Sequence, residues 1–466
     1  MKGAVIAGAG SGAGKTSIST GIMSFLSRRM KVQPYKIGPD FIDPMYHTAA
    51  AGRISRNLDT YMVPGDGIRG IVGSSSKGAD ICIAEGVRGL YEGISGVSDR
   101  CSTAEAAKIL GFPVILVVDA RSLTRSAAAL INGFKAFDPG VDIRGVILNN
   151  VSGEQHGGKL REAVERYCPG TEIVGMVRRH PECGLKSRHL GLKTVDSSCR
   201  EDVRGLEILA DDIDMDVFLG ICESCGAQFP EGSPYAEHSA HAKAAVPMDD
   251  AYCFYYRENL ECMEAAGFSI EYFSPLAGDP LPDADMYYLG GGYPELYAGR
   301  IAENRDFLEG LKNASDSGAI VYGECGGLMT MCRSIAGKDG SSHAMAGIFD
   351  ADAVMGGRHG PKYADAEPTP ANPLFSGPVR GHEFHYSELL LRSEPEYGFR
   401  MSRGTGISGG MDGLCAKNSL GGYMHQNALS AEDWCGTMAE KIGRGLMPPF
   451  LSRTGLCRCR GLRSRA

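Results

Sequence analysis

A cysteine framed by glycines, Gly323-Glu324-Cys325-Gly326-Gly327, directly follows the apolar run Ala319-Ile320-Val321-Tyr322. This order predicts a tight strand-to-helix turn carrying a thiol at a helix N-terminus, where the dipole favours thiolate and so a nucleophile. A packed strand end is the competing reading. Such a thiol needs a histidine to move protons, and the second half offers His359, His382, His385 and His425. His425 follows the short run Gly421-Gly422-Tyr423-Met424 and suits a base delivered from across a domain, but composition does not separate it from His385.

At the other end of the chain, Gly3 to Ala7 reads as a short buried strand, and Gly8 to Thr16 turns into a helix beginning near Lys15. Gly8, Gly10, Gly12 and Gly14 let backbone N–H groups converge on an anion. The helix N-terminus adds roughly half a positive charge. Lys15 can reach outer phosphates and the Thr16 hydroxyl can ligate magnesium. Gly8, Gly10 and Ala13 also satisfy a looser dinucleotide pattern, but that reading wants an acid about twenty positions on, and the next strand, Val32 to Lys36, ends on a lysine. Asp40 and Asp43 follow that strand, and Glu85 closes the next apolar run, where the metal-binding acid of a nucleotide enzyme sits. Each carboxylate alone reads first as a loop or capping group; beside the loop at Lys15, Glu85 reads as the metal-binding acid, and Asp40 and Asp43 read either way. Together the two ends of the chain point to an enzyme that releases ammonia at one site and uses ATP to install it at another.

The elements that must position these groups alternate. Strand-like runs at Asp80–Ala84, Pro113–Val118, Gly145–Leu148 and Ile173–Val177 are separated by helix-like stretches. Near-continuous Val and Ile runs between helices predict a parallel sheet covered on both faces. A helical segment is expected through Leu206 to Leu219, and 226–247, rich in Gly, Pro, Ser, His and Ala, reads as a linker. A second alternating unit is expected from Ala251–Tyr255 through Met286–Leu289 to the cysteine turn. The resulting division is a phosphate-loop, ATP-binding domain over 1–195, a helix and linker over 196–248, a second domain carrying the cysteine turn over 249–445, and a basic tail over 446–466.

The 466 residues, 43% hydrophobic and 22% charged, suffice for two ordinary cores. A formal charge of −8 with no broad basic face argues against nucleic acid as a partner. The arginines from Arg453 to Arg465 read as a short solvated tail. No signal peptide is visible and no apolar run approaches the roughly 20 residues a bilayer needs, so a cytoplasmic location without membrane association is expected. The 15 cysteines then read as reduced thiols. Cys222-x-x-Cys225 with His238-x-x-His241 imitates a zinc framework, but its histidine spacing is one residue short and no finger-helix pattern accompanies it. Cys457 and Cys459 are weaker still.

With these residues assembled, the chain resembles the cobyrinic acid a,c-diamide synthase family along nearly its whole length. The stretches that carry the resemblance are Ser11 to Thr16, Lys36 to Pro44, Glu85 to Tyr91, Ser187 to Leu192, Gly290 to Glu295 with Glu324 to Gly327, and Gly381 to Ser387. The resemblance implies a dethiobiotin-synthetase-like P-loop domain, an α/β fold, joined to a class I glutamine amidotransferase domain of flavodoxin-like type. It implies Cys325 as glutaminase nucleophile and His425 as its base, in a domain type without the third, acidic triad member. Gly291 and Gly292 would supply oxyanion donors. Gly12, Gly14, Lys15, Thr16 and Glu85 would hold ATP and magnesium, and Asn150 would meet the adenine. Asp40 and Asp43 would lie where the substrate carboxylate is activated, with Lys36, Tyr91 and Glu92 near the substrate.

Two positions depart from the family pattern. Glu92 stands where many relatives have Asp, and Asn427 where relatives often carry another histidine. The implied partners are glutamine and a tetrapyrrole polycarboxylate, either a corrinoid or nickel sirohydrochlorin, and a homodimer is compatible with the pattern. The stretch Val118 to Ala127 looks more like archaeal members. Two other readings remain: an amidotransferase of the same architecture acting on another acid, as in cobyric acid synthase, and a P-loop ATPase with a dead amidotransferase module.

Overall fold

The computed structural model describes residues 1–180 and 203–443. The Ser187 to Leu192 motif and the basic tail with Cys457 and Cys459 lie outside the described residues.

Among the described residues the first half forms a seven-stranded sheet, parallel throughout: β1 (Gly3–Gly8), β2 (Val32–Ile37), β3 (Arg56–Leu58), β4 (Ile81–Glu85), β5 (Val114–Asp119), β6 (Ile143–Val151) and β7 (Glu172–Arg178), in the spatial order 3-2-4-1-5-6-7. The expected Val and Ile runs all become strands, because alternate side chains enter two separate cores. Val5, Val114, Leu116 and Val118 pack on one face, while Ile6, Ile115 and Val117 pack on the other. The short β3, without such a run, gave no signal. β1 lies between β4 and β5, so the loop after it opens into the crevice where strand order reverses, the usual ligand position in such sheets.

Between the halves the chain departs from expectation. Leu206–Asp212 is a 3-10 turn, and a separate helix, Met215–Glu223, starts where the Asp214 carboxylate accepts from the Val217 N–H at 3.1 Å. That cap divides what the sequence reads as one helix. Both pieces pack back on the first sheet, where Leu209, Phe218 and Cys222 join its core. The zinc-like residues therefore part company: Cys222 is buried there, and His238 pairs with Asp433 at 3.0 Å.

The expected linker is also shorter. Ala242–Pro247 forms a strand, β8, inside the second sheet. Its alanines and proline look like loop composition, yet small side chains suit a strand pressed between layers. Conversely 251–255 is not a strand: isolated bridges join Tyr252 to Asp249 and Phe254 to Gly291. The second sheet has twelve strands among the described residues. Its parallel centre comprises β8, β9 (Phe268–Phe273), β10 (Met286–Leu289), β11 (Ile320–Glu324) and β18 (Ser419–Gly422). An extension not anticipated from the sequence adds β14 (Ala351–Pro368), β15 (Val379–Leu391), β16 (Tyr397–Arg403) and β17 (Met411–Ala416) in antiparallel pairs. The remaining strands are β12 (Ser334–Ala336) and β13 (Ser342–Ala344) at one edge and β19 (His425–Gln426), which pairs with β15.

This extension reaches the first domain. The Tyr61 hydroxyl donates to Asp365 at 2.6 Å, and the Tyr363 hydroxyl donates back to Asp59 at 2.8 Å. Their rings stack at 4.2 Å between centroids. Arg56 on β3 pairs with Glu261 at 2.5 Å. Tyr363→Phe removes a donor to the buried Asp59 carboxylate and lowers stability by about 1–3 kcal/mol, measured by equilibrium urea unfolding.

Candidate active site

The phosphate loop has the form its glycines require. Gly14 adopts φ +96°, and a Cβ there would lie 2.2 Å from the Asn149 amide nitrogen, which donates to the Ala13 carbonyl at 2.9 Å. Gly14 thus serves both backbone conformation and close approach. No atom lies within 4 Å of a Cβ built on Gly10 or Gly12, so the loop borders open space. Lys15 is buried at the first helical position and donates to the Arg88 carbonyl. Burial, then the nearby Lys36 charge, lower its affinity for its proton.

Beneath the loop lies a closed charge cluster. Glu85, fully buried at the end of β4, accepts from Thr16 Oγ1 at 2.6 Å and Ser19 Oγ at 2.8 Å, with Lys36 Nζ at 2.9 Å and His47 Nε2 at 2.6 Å. Lys36 also donates to Asp43 at 2.5 Å, and Thr16 lies 3.3 Å from the same carboxylate. Burial alone would neutralise these groups. Lys36 and His47 nevertheless hold Glu85 well below the usual carboxylate range, and Glu85 and Asp43 hold Lys36 above the usual lysine range. A hydroxyl between two carboxylates at a phosphate loop is the donor set that suits a nucleotide-bound magnesium.

Asp40 has a different local duty. Its Oδ1 accepts the N–H groups of Ile42 and Asp43 at 2.8 and 3.1 Å and so caps the helix Ile42–Ala51. Burial, then the Asp43 charge, push it up to about 6. His47, not singled out from the sequence, sits one turn beyond Asp43 on that helix, and the i, i+4 spacing was the available signal.

The other expected nucleotide and substrate residues separate. Asn150 adopts φ +60° and donates to Asp119 at 3.0 Å, lining a cavity of about 780 Å³ beyond β5 and β6 with Arg121 and Lys159. Glu92 lines a small cavity between the domains with Arg88, Lys362 and His382. Tyr91 does not join it. Its hydroxyl donates to the Phe134 carbonyl at 2.7 Å and its ring packs on Phe134 and Phe137, because that apolar ledge on the helix Arg125–Phe137 is its nearest burial.

Cys325 occupies the turn between β11 and the helix Gly326–Met331 with φ +48°, ψ −95°, strained for a residue bearing a Cβ. Its N–H donates to the Gly422 carbonyl at 2.7 Å, which holds the turn. A Cβ on Gly327 would lie 2.1 Å from the Leu289 carbonyl oxygen, so the helix can leave at this angle only with glycine there. His425, on β19, is buried beside the thiol. Burial would deprotonate it, but contacts with Cys325 and Glu324 outweigh this and raise it to about 9. His382 stacks on His425 at 5.0 Å, while His385 stacks on Tyr423 at 3.7 Å. The structure thus separates the two histidines that composition left level.

The glycine pair behaves unequally. The Gly291 N–H is engaged by the Phe254 carbonyl at 3.2 Å, which corrects the expectation of a free oxyanion donor there. Gly291 is needed instead because a Cβ would approach His425 Cε1 to 2.4 Å. The Gly292 nitrogen lies 3.2 Å from the Cβ position of Gly326 and so borders the thiol turn.

Phe41 joins the two sites. It follows Asp40 in sequence, yet its ring lies 5.2 Å from His425, 5.6 Å from His382, 4.6 Å from Tyr256 and 5.1 Å from Phe254. Among the described residues no helix is long and apolar enough to cross a membrane.

A P-loop sheet is docked through an aromatic wall on a thiol-bearing sheet, and the family models that match the two halves mark the chain as a glutamine-dependent amidating ligase. Residues 4–190 match the CobQ/CobB/MinD/ParA nucleotide binding domain, and 243–433 match the CobB/CobQ-like glutamine amidotransferase domain. Cobyrinate a,c-diamide synthase of Methanosarcina acetivorans is 41% identical, covering 93% of this chain and 94% of its own length. That of Methanosphaera stadtmanae is also 41% identical, over 93% and 97%, and that of Methanococcus maripaludis 42%, over 92% and 97%. The chain belongs to the cobyrinate a,c-diamide synthase family.

Lys36→Met removes the cation between Asp43 and Glu85. Breaking a buried pair this way lowers stability by about 3–5 kcal/mol, read from urea unfolding at pH 7.

Proposed function

We propose that the chain uses ATP and glutamine to amidate the a and c acetate carboxylates of cobyrinate in cobalamin biosynthesis. The names of its relatives support that acceptor. The archaeal-type stretch Val118 to Ala127 favours nickel sirohydrochlorin as a second ring. The observation that carries the reading is Phe41, which adjoins the Asp40–Asp43 carboxylates in the chain and the Cys325–His425 pair in space.

Carboxylates do not condense with ammonia, so ATP with magnesium would supply the phosphoryl group that turns the acetate into an acyl phosphate. The N–H groups of the phosphate loop and Lys15 would hold the nucleotide, Thr16 and Glu85 the metal, and Asn150 the base. Lys36 would orient the acetate, with Asp40, Asp43 and Glu92 beside it, Asp43 also facing the metal. At the other site the Cys325 thiolate attacks the glutamine carboxamide carbon, Gly292 N–H stabilises the oxyanion, and His425 gives a proton to the departing ammonia. Water then hydrolyses the thioester to glutamate. Ammonia passes along the apolar rings of Phe41 and Tyr256 to the acyl phosphate and displaces phosphate. Exclusion of water there protects the activated acid from hydrolysis.

Separate incubations with ATP, magnesium, glutamine and either cobyrinate or nickel sirohydrochlorin give two successive amide additions by product mass; no addition to either ring contradicts the reading. Cys325→Ser abolishes glutamine-dependent amidation and retains ammonia-dependent amidation, and loss of both activities contradicts two separable sites. Phe41→Ala keeps glutamine hydrolysis but lowers the ratio of amide formed to glutamate released, measured by paired product assays.

A further inference from the structure

His425 has a buried acidic neighbour that does not come from the position two residues after it. That position is Asn427, whose side-chain oxygen is occupied by the Leu429 N–H at 3.0 Å. Among the described residues His425 Nδ1 has no hydrogen-bond partner, and a Glu324 oxygen lies 3.8 Å from it, with both side chains almost wholly buried. At that distance the contact is ionic rather than a hydrogen bond.

Glu324 is fixed from several directions. One oxygen accepts the Tyr322 hydroxyl at 2.8 Å and the Gln426 N–H at 3.2 Å, and the other accepts the Tyr288 hydroxyl at 3.1 Å. The Gln426 bond grips the residue after His425, so one carboxylate anchors β19 to β11, the strand that ends just before Cys325. Among the described residues the ionisable groups that act on His425 are Cys325, Glu324, His382 and His385. Glu324 is the carboxylate among them. An anion held beside an imidazole orients the ring and stabilises its protonated form during proton transfer.

We propose that Glu324, the residue before the nucleophile, is the positioning acid of the glutaminase site, replacing a triad acid contributed from after the histidine. This rests on the assignment of Cys325 and His425 as nucleophile and base. The glutamate in Gly323-Glu324-Cys325 therefore serves catalysis as well as strand packing.

The test compares Glu324→Gln and Glu324→Asp with the unaltered full-length chain in glutamine hydrolysis between pH 6 and 10. Glu324→Gln should lower kcat about tenfold to hundredfold, change the glutamine KM less than about threefold, and move the alkaline limb of kcat at least about one pH unit toward acid. Glu324→Asp keeps the charge and should keep the limb where it is while recovering part of kcat. A Glu324→Gln limb superimposable on that of the unaltered chain overturns the proposal, whatever the loss of rate. If Glu324→Gln does not fold, the Asp variant decides: an unmoved limb supports the positioning charge, and a one-unit acid shift despite retained charge contradicts it. Glutamine hydrolysis surviving in Cys325→Ser would instead sink the nucleophile assignment, a separate outcome.

Discussion

Ammonia is small, apolar enough to cross a hydrophobic gap and greatly outnumbered by water. Any device that makes it at one centre and consumes it at another depends on what stands between. In the scheme proposed above that is Phe41, extending from the loop before the helix Ile42–Ala51 onto the imidazoles of His425 and His382. Its neighbours in sequence cap that helix and bind Lys36, so its position is tied to the nucleotide side. Its neighbours in space belong to the amidotransferase sheet. The reciprocal Tyr61–Asp365 and Tyr363–Asp59 bonds hold the two sheets together near this wall.

The electrostatics on either side of Phe41 are opposite in kind. Toward the phosphate loop, charges are retained in burial by pairing: Lys36 stays protonated and Glu85 ionised because each faces the other. With Glu85 depressed, its contribution to stability is present above its ordinary titration range and is lost as acid protonates it. With Lys36 raised, its contribution is present below its ordinary range and fades only in strong base. The cluster therefore persists across neutral pH. Toward the thiol, His382 is driven well below its ordinary value by burial and then by the His425 charge, while His425 is raised to about 9. Stacked imidazoles with separated proton affinities place a cation at His425 and a neutral ring at His382, both against Phe41.

Much of this was legible in the residues. The Val and Ile runs named six of the seven strands of the first sheet, and the glycine spacing located the phosphate loop, because both follow from local constraints that leave a mark in sequence. Cys325 was legible for the same reason: Gly327 must clear the Leu289 carbonyl. What escaped was built from distant residues or from ambiguous composition. β8 is hidden in alanine, and β14 to β17 carry histidines and charges that look like loop. The role of Gly291 depends on Phe254, nearly forty positions away, and Tyr91 turned to a ledge that no motif encodes. Glu324 was in plain view within the cysteine motif, but its relation to His425 exists only once β11 and β19 lie side by side.

The most direct test of the central claim follows the nitrogen. Synthesis with amide-15N glutamine in excess unlabelled ammonium, at a pH where free ammonia alone supports little amidation, should give product whose new amides keep nearly the full 15N content of the glutamine. Product diluted toward the isotopic composition of the bulk ammonium would contradict transfer through a closed interface.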